Sequence, residues 1–139
     1  MASIFTKIIN GEIPGHFILQ RSDVVAFLDV FPRSSGHTLV VPTREIQYLR
    51  DLRQEEVSSL FVVVHQVARR LHEILGCEDC SIIINDGPAA GQEIPHIHVH
   101  IIPRWPEDGS TPLTNILPIN SLENPDHESL ANLADHLSF

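Results

Sequence analysis

Residues 95–104 read PHIHVHIIPR, a run in which histidine and an aliphatic residue alternate strictly before a proline and an arginine close it. Strand side chains point to opposite faces in turn, so the run predicts a strand over 96–102. His96, His98 and His100 share one face; Ile97, Val99 and Ile101 share the other. The aliphatic face requires a core behind it, and a buried imidazole face requires a polar partner for each ring. The run thus predicts a sheet with one face reserved for chemistry.

Four more short apolar runs, each bounded by Gly, Pro, Asp or Ser, are strand candidates: 16–21 (HFILQR), 24–30 (VVAFLDV), 37–42 (HTLVVP) and 80–85 (CSIIIN). Between the third and fourth, Val57, Leu60, Phe61, Val64, Val67, Ala68, Leu71, Ile74 and Leu75 recur at helical steps, and Gly76 is a natural residue to end that helix. Only Ser22 and Asp23 separate the first two strands and only FPRSSG the next two, too little for parallel crossovers. The expected class is α+β: a largely antiparallel five-stranded sheet with one long helix and short flanking helices. With 139 residues, 42% of them hydrophobic, the expectation is a single domain over 1–139. Its core spans about 4–104. Residues 105–139 form a proline-rich loop and a short C-terminal helix starting near Asp126, with Leu130, Leu133, Ala134 and Leu137 on one side.

No apolar stretch approaches the roughly 18–20 residues that cross a bilayer, and the opening MASIFTKIING lacks a signal-peptide core; a cytoplasmic protein without a membrane partner is expected. Nine Lys plus Arg against eighteen Asp plus Glu give a net charge of −9, the wrong sign for a nucleic-acid binder that tracks phosphates. Cys77 and Cys80 form a lone C-x-x-C without a second pair to complete a four-cysteine zinc site, and they read as reduced structural thiols.

Three in-register imidazoles admit three roles. A structural role leaves each ring needing its own buried partner. A metal site is served by two of them, but three successive alternating positions are inconvenient for one ion, and Ile101, Ile102, Pro103 and Arg104 bring no carboxylate just downstream. In the third role the central imidazole attacks phosphorus and its neighbours orient it and steady the phosphoryl oxygens. The upstream stretch NDGPAAGQE, residues 85–93, is a glycine-containing connection whose N–H groups are suited to an anion. His37 opens the third strand run, where a fourth imidazole approaches the same face. Asp29 lies near the end of the second, where it accepts from the two hydroxyls of a ribose or caps a turn.

Taken together these residues resemble the histidine triad (HIT) family of nucleotide hydrolases and transferases, whose signature His-φ-His-φ-His-φ-φ, with φ apolar, is met by HIHVHII. IFTKIINGEIP, AFLD, GHTLVVP and NDGPAAGQEIP extend the resemblance over about Ile4 to Arg104. It implies a two-fold homodimer and a purine nucleotide substrate attacked at its α-phosphate by His98. His96 and His100 would orient the nucleophile and contact phosphate or leaving group, with His37 supporting the cluster. By the same match Asp29 would hold the ribose; Asn85, Gly91, Gln92, Glu93 and Ile94 would surround the phosphates; and Ile4, Phe5, Ile8, Phe27 and Leu28 would wall the base. No cofactor is implied. Some relatives hold a structural zinc through a Cys-x-x-Cys in the opening segment, a histidine after the third strand and a triad histidine. Here Ser3, Thr6 and Glu45 stand at the first three of these positions, so no zinc is expected. Glu93 also departs from the family, which often has Ser or Thr there; its backbone N–H would serve, or its carboxylate turn outward. The opening segment is similar to the phosphoramidate-cleaving branch and DGPAAGQE with IIPR to the dinucleoside polyphosphate branch. Trp105 is a candidate stacking residue or simple edge packing, and Arg104 carries no assigned role.

Overall fold

The structure, a computed structural model, describes residues 2–109 and 125–139. Its order is α1 (Ile4–Ile9), β1 (Phe17–Gln20), β2 (Val24–Leu28), β3 (Thr38–Pro42), α2 (Gln54–Leu75), β4 (Asp79–Ile83), β5 (Val99–Arg104) and α3 (His127–Leu137). Short 3₁₀ turns occupy Leu49–Asp51 and Pro88–Ala90. The five strands form one sheet in the order β1-β2-β3-β5-β4, antiparallel throughout, which is the expected α+β arrangement.

Both faces of the central strands are covered, and the alternation along them divides the core in two. Val24, Ala26, Leu28, Val40, Val99 and Ile101 pack toward Leu60, Val63, Val64, Val67 and Leu71 of α2 and Leu130, Ala134 and Leu137 of α3. Val25, Phe27, Leu39 and Val41 pack with Phe5 and Ile8 of α1. The histidine face lies on the α1 side. Within α2, Phe61 is 40% exposed and Val63 is fully buried in its stead, a correction to the expected stripe. Leu60, Val64, Val67 and Leu71 lie near one line at steps of three and four, and Phe61 is about 100° round from Leu60. Gly76 ends the helix at φ 73° in the left-handed conformation. Asp126 caps α3 by accepting from the Ser129 N–H at 3.1 Å, as expected. The tail is tied down by Phe139 N to Ile18 O (3.1 Å) and Arg70 Nε to Leu137 O (2.8 Å). Most of the expected loop after Arg104 lies outside the described residues.

The strand carrying the histidines starts later than its alternation predicts. Pairing with β3 ends at Val40↔Val99, so His96 and His98 precede the ladder and only His100 lies within it. Two positions further along β3 is Pro42, which has no N–H to contribute. The chain there bonds elsewhere instead, through Ile97 N to Ile46 O at 2.7 Å. The alternation itself survives: Ile97, Val99 and Ile101 are fully buried in the core on the α2 side, and the three imidazoles face the other way.

Candidate active site

A cavity of about 550 Å³ opens on the α1 side of the sheet. Ile4, Phe5, Ile8, Phe27 and Leu28 form an apolar wall, Asp29 and His37 stand at the β2–β3 end, and His98 and His100 lie on the floor. Asn85, Gly91, Glu93 and Ile94 line it from the connection before β5. Two of the site residues expected from sequence do not line it. His96 is fully buried, and Gln92 turns inward, where its Nε2 donates to Gln47 O at 2.9 Å. Among the described residues, Gln92 Oε1 is the one buried side-chain atom without a hydrogen-bond partner. Trp105 is 41% exposed and lies outside the cavity lining, and Arg104 is bonded to Asp108 and to Ser81 Oγ. Sequence reasoning passed over Arg33 and Phe31, which the tight β2–β3 connection brings to the cavity; an arginine four residues after Asp29 in so acidic a chain was the available signal.

Proton positions follow from the partners, because a carbonyl only accepts and a backbone N–H only donates. His98 Nδ1 donates to His96 O at 2.8 Å, which leaves its Nε2 as a lone pair. His96 Nε2 donates to Pro42 O at 2.7 Å, so its Nδ1, 2.8 Å from Ser3 Oγ, accepts from that hydroxyl in the neutral ring. His37 Nδ1 accepts the Arg33 N–H at 3.1 Å; its Nε2 then donates to His100 Nδ1 at 2.9 Å, and His100 carries its remaining proton on Nε2. The result is one imidazole with a free lone pair beside another presenting N–H, their ring centres 4.9 Å apart. Phe5 meets His98 edge-on at 4.8 Å and fixes its plane from the apolar side.

Burial keeps these rings neutral. It lowers His37 to about 3, with His100 and Arg33 adding repulsion, and lowers His100 to about 4, with His98 and Arg33 adding. His98 is also lowered by burial, partly offset by its bond to His96 O. Asp29 is raised by burial; its Oδ1 accepts from Phe31 N at 2.9 Å and its Oδ2 lies 3.6 Å from His37 Nε2. Asp29, His37 and His100 each offer one ligand atom within 4.8 Å of the others, but a metal there must first displace the proton shared by the two rings.

In the glycine loop, Ala90 N and Gln92 N donate to Gly87 O and Gly91 N to Pro88 O, so these groups serve the loop itself. Among residues 90–94, the N–H groups of Glu93 and Ile94 are the ones with no bond inside the described chain. Gly87 (φ 105°) is required by conformation and by space, since a Cβ would lie 2.9 Å from Tyr48 Cε1.

Ser3, Thr6 and Glu45 converge on His96. Thr6 Oγ1 donates to Glu45 Oε1 at 2.7 Å, Ser3 N donates to the same oxygen, and Ser3 Oγ accepts from Thr6 N at 3.1 Å. The backbone bond from Ser3 and the hydroxyl bond from Thr6 hold the Glu45 carboxyl down to about 2. Ser3→Ala leaves His96 Nδ1 buried without a partner and is expected to cost about 1–3 kcal/mol, read as a lower urea midpoint; an unchanged midpoint contradicts this network. Cys77 is buried and Cys80 half-buried; burial, with Cys77 beside it, pushes the Cys80 thiol up to about 12, away from the reactive thiolate form.

The HIT domain family model matches residues 10–107. Over 106 residues the chain is 42% identical to an uncharacterised HIT-like protein of Methanocaldococcus jannaschii, covering 76% of this chain and 81% of the relative. It is 33% identical to the adenosine 5'-monophosphoramidase of Schizosaccharomyces pombe (78% of each). With the asymmetrical bis(5'-nucleosyl)-tetraphosphatase of the same yeast it shares 41% identity over 61% of this chain and 47% of that one. Among solved structures, a hypothetical histidine triad nucleotide-binding protein of Sulfolobus tokodaii superposes with a TM-score of 0.82 at 30% identity, over 96% of this chain and 88% of that one. A zinc-bound histidine triad family protein of Mycobacterium smegmatis gives 0.79 at 32%, over 99% and 94%. The hydroxyls of Ser3 and Thr6, the first accepting from the Thr6 N–H and the second donating to Glu45, do not make a zinc donor set like the thiolates and imidazoles that hold this metal. Matched over most of its length, and with its imidazoles arrayed about one cavity, the chain belongs to the histidine triad family.

Proposed function

We propose that the protein is a nucleotide hydrolase or transferase acting on the α-phosphate of nucleoside phosphoramidates or dinucleoside polyphosphates through a nucleotidyl-His98 intermediate. The observation that carries this reading is the bond from His98 Nδ1 to His96 O, which leaves Nε2 as a lone pair in a ring that burial keeps neutral. The names of the two yeast relatives, a phosphoramidase and a tetraphosphatase, support the pair of substrate classes.

In the first step His98 Nε2 forms a bond to phosphorus and the bond from phosphorus to the leaving group breaks; a nucleoside polyphosphate departs with the electron pair as an anion, and an amine takes up a proton from water as it leaves. His100 Nε2–H and the N–H groups of Glu93 and Ile94 donate to the phosphoryl oxygens. Water then attacks phosphorus; the N–P pair returns to His98, one water proton stays on the nucleotide's new hydroxyl and the other passes to solvent. In this scheme Asp29 accepts from the ribose hydroxyls, the wall of Ile4, Phe5, Ile8, Phe27 and Leu28 packs on a purine, and His96 positions His98 without touching substrate. Comparing adenosine phosphoramidate, AMP-lysine and dinucleoside polyphosphates with wild type and His98→Asn tests the reading.

A regulatory module that binds nucleotide with little turnover is the second reading, favoured if AMP binds and none of these substrates is cleaved. We further take residues 1–139 as one functional unit acting in the cytoplasm as a homodimer. Phe61 and Val62 on α2 and Ile82 on the edge strand β4 are 40%, 49% and 51% exposed, apolar surface of the kind a partner covers. Sedimentation is expected to give twice the 15.6 kDa chain mass for wild type and the single mass for Ile82→Arg; a wild-type monomer at micromolar concentration refutes the dimer. No helix among the described residues is long and apolar enough to cross a membrane.

A further inference from the structure

We infer that Arg33 is the charge-recognition residue of this cavity and selects substrates whose leaving group carries phosphates, dinucleoside polyphosphates above phosphoramidates. The inference rests on the nucleotide-hydrolase reading above and goes beyond it by choosing between the two substrate classes.

The first support is the lining. Among the described residues that line the cavity, Arg33 is the one Arg or Lys, against the carboxylates Asp29 and Glu93, in a chain of net charge −9. A polyphosphate entering such a site needs a local cation, and a guanidinium is suited to two phosphate oxygens at once. The imidazoles do not supply that charge. His37 Nδ1 accepts a backbone N–H and His100 Nδ1 accepts from His37, so both are neutral donors.

The second support is placement. The β2–β3 connection is pinned at three points: Phe31 N to Asp29 Oδ1 (2.9 Å), His37 N to Ser34 O (3.0 Å) and Ser34 Oγ to Pro103 O (2.7 Å). Arg33 therefore stems from a fixed turn, and its guanidinium is near enough to Asp29, His37 and His100 to shift the titration of all three.

The third support is proton balance. A phosphoramidate expels an amine, which needs a proton as the P–N bond breaks, and a His100 that is neutral with its proton on Nε2 is a poor acid. A nucleoside polyphosphate leaves as a stable anion and needs only charge stabilisation, which a guanidinium provides.

The test compares wild type with Arg33→Ala, which keeps the backbone N–H that bonds His37. Wild type is expected to show the higher kcat/KM on diadenosine tetraphosphate than on adenosine phosphoramidate. In Arg33→Ala the tetraphosphate value should fall about 10- to 100-fold, a loss at least tenfold larger than on the phosphoramidate and shrinking with added salt. Preference of wild type for the phosphoramidate, or equal losses on both, overturns the inference.

The binding series AMP, ADP and ATP read in the His98→Asn background needs no turnover. The gain in affinity along the series should disappear with Arg33→Ala, and a gain that survives overturns the inference even if wild type cleaves nothing. Failure of all turnover, by contrast, overturns the hydrolase reading.

Discussion

His98→Asn is expected to lower kcat by about 10⁴-fold or more on every substrate the wild type cleaves, while AMP affinity changes less than about threefold. The split follows from the geometry. Asn removes the lone pair at the Nε2 position but leaves the apolar wall, Asp29 and the Glu93 and Ile94 N–H groups in place. Initial rates with isothermal titration of AMP check both halves. Full activity in the variant refutes covalent catalysis by His98, and loss of AMP binding with intact folding assigns His98 to binding instead.

Acid is expected to destabilise the protein already above the range where its carboxylates titrate. Folded-state values of about 3 for His37 and about 4 for His100 lie below the ordinary value near 6.5, so between 6.5 and 4 the unfolded chain binds protons that the folded chain refuses. Their stabilising contribution is complete above pH 6.5 and is lost as pH falls, about 2 kcal/mol for each ring by pH 5. Glu45 and Glu56, both held near 2, act in a separate window below about 4.5. Urea midpoints at pH 7.5 and 5.0 should differ clearly for wild type and by less for His37→Asn. Equal midpoints for wild type contradict the picture of buried neutral rings.

Much of this architecture could be read from the chain because alternation and short connections are local signals. The pattern in 95–104 divided the imidazoles from the core correctly, and two short connections were enough to make the first three strands antiparallel. What escaped sequence reasoning depends on neighbours distant along the chain. The ladder stops before His98 because Pro42, more than fifty residues upstream, has no N–H to contribute; its carbonyl instead takes the His96 proton. Gln92 sits in the glycine loop beside the cavity, yet a carbonyl at Gln47 draws its side chain inward. Arg33 carries no motif at all, and only folding of the turn beside His37 brings it to the cavity. The partners that set three similar histidines apart likewise become visible only in the fold: carbonyls for His96 and His98, another imidazole for His100.

The proposed reaction passes through a covalent bond between His98 Nε2 and the substrate's α-phosphorus. Mass spectrometry of peptides from wild-type protein quenched in base during turnover should find one nucleoside monophosphoryl group on His98, lost on mild acid treatment and absent from His98→Asn. Steady turnover with no adduct at His98 at any quench time, and with inversion at a chiral α-phosphorus, would contradict it.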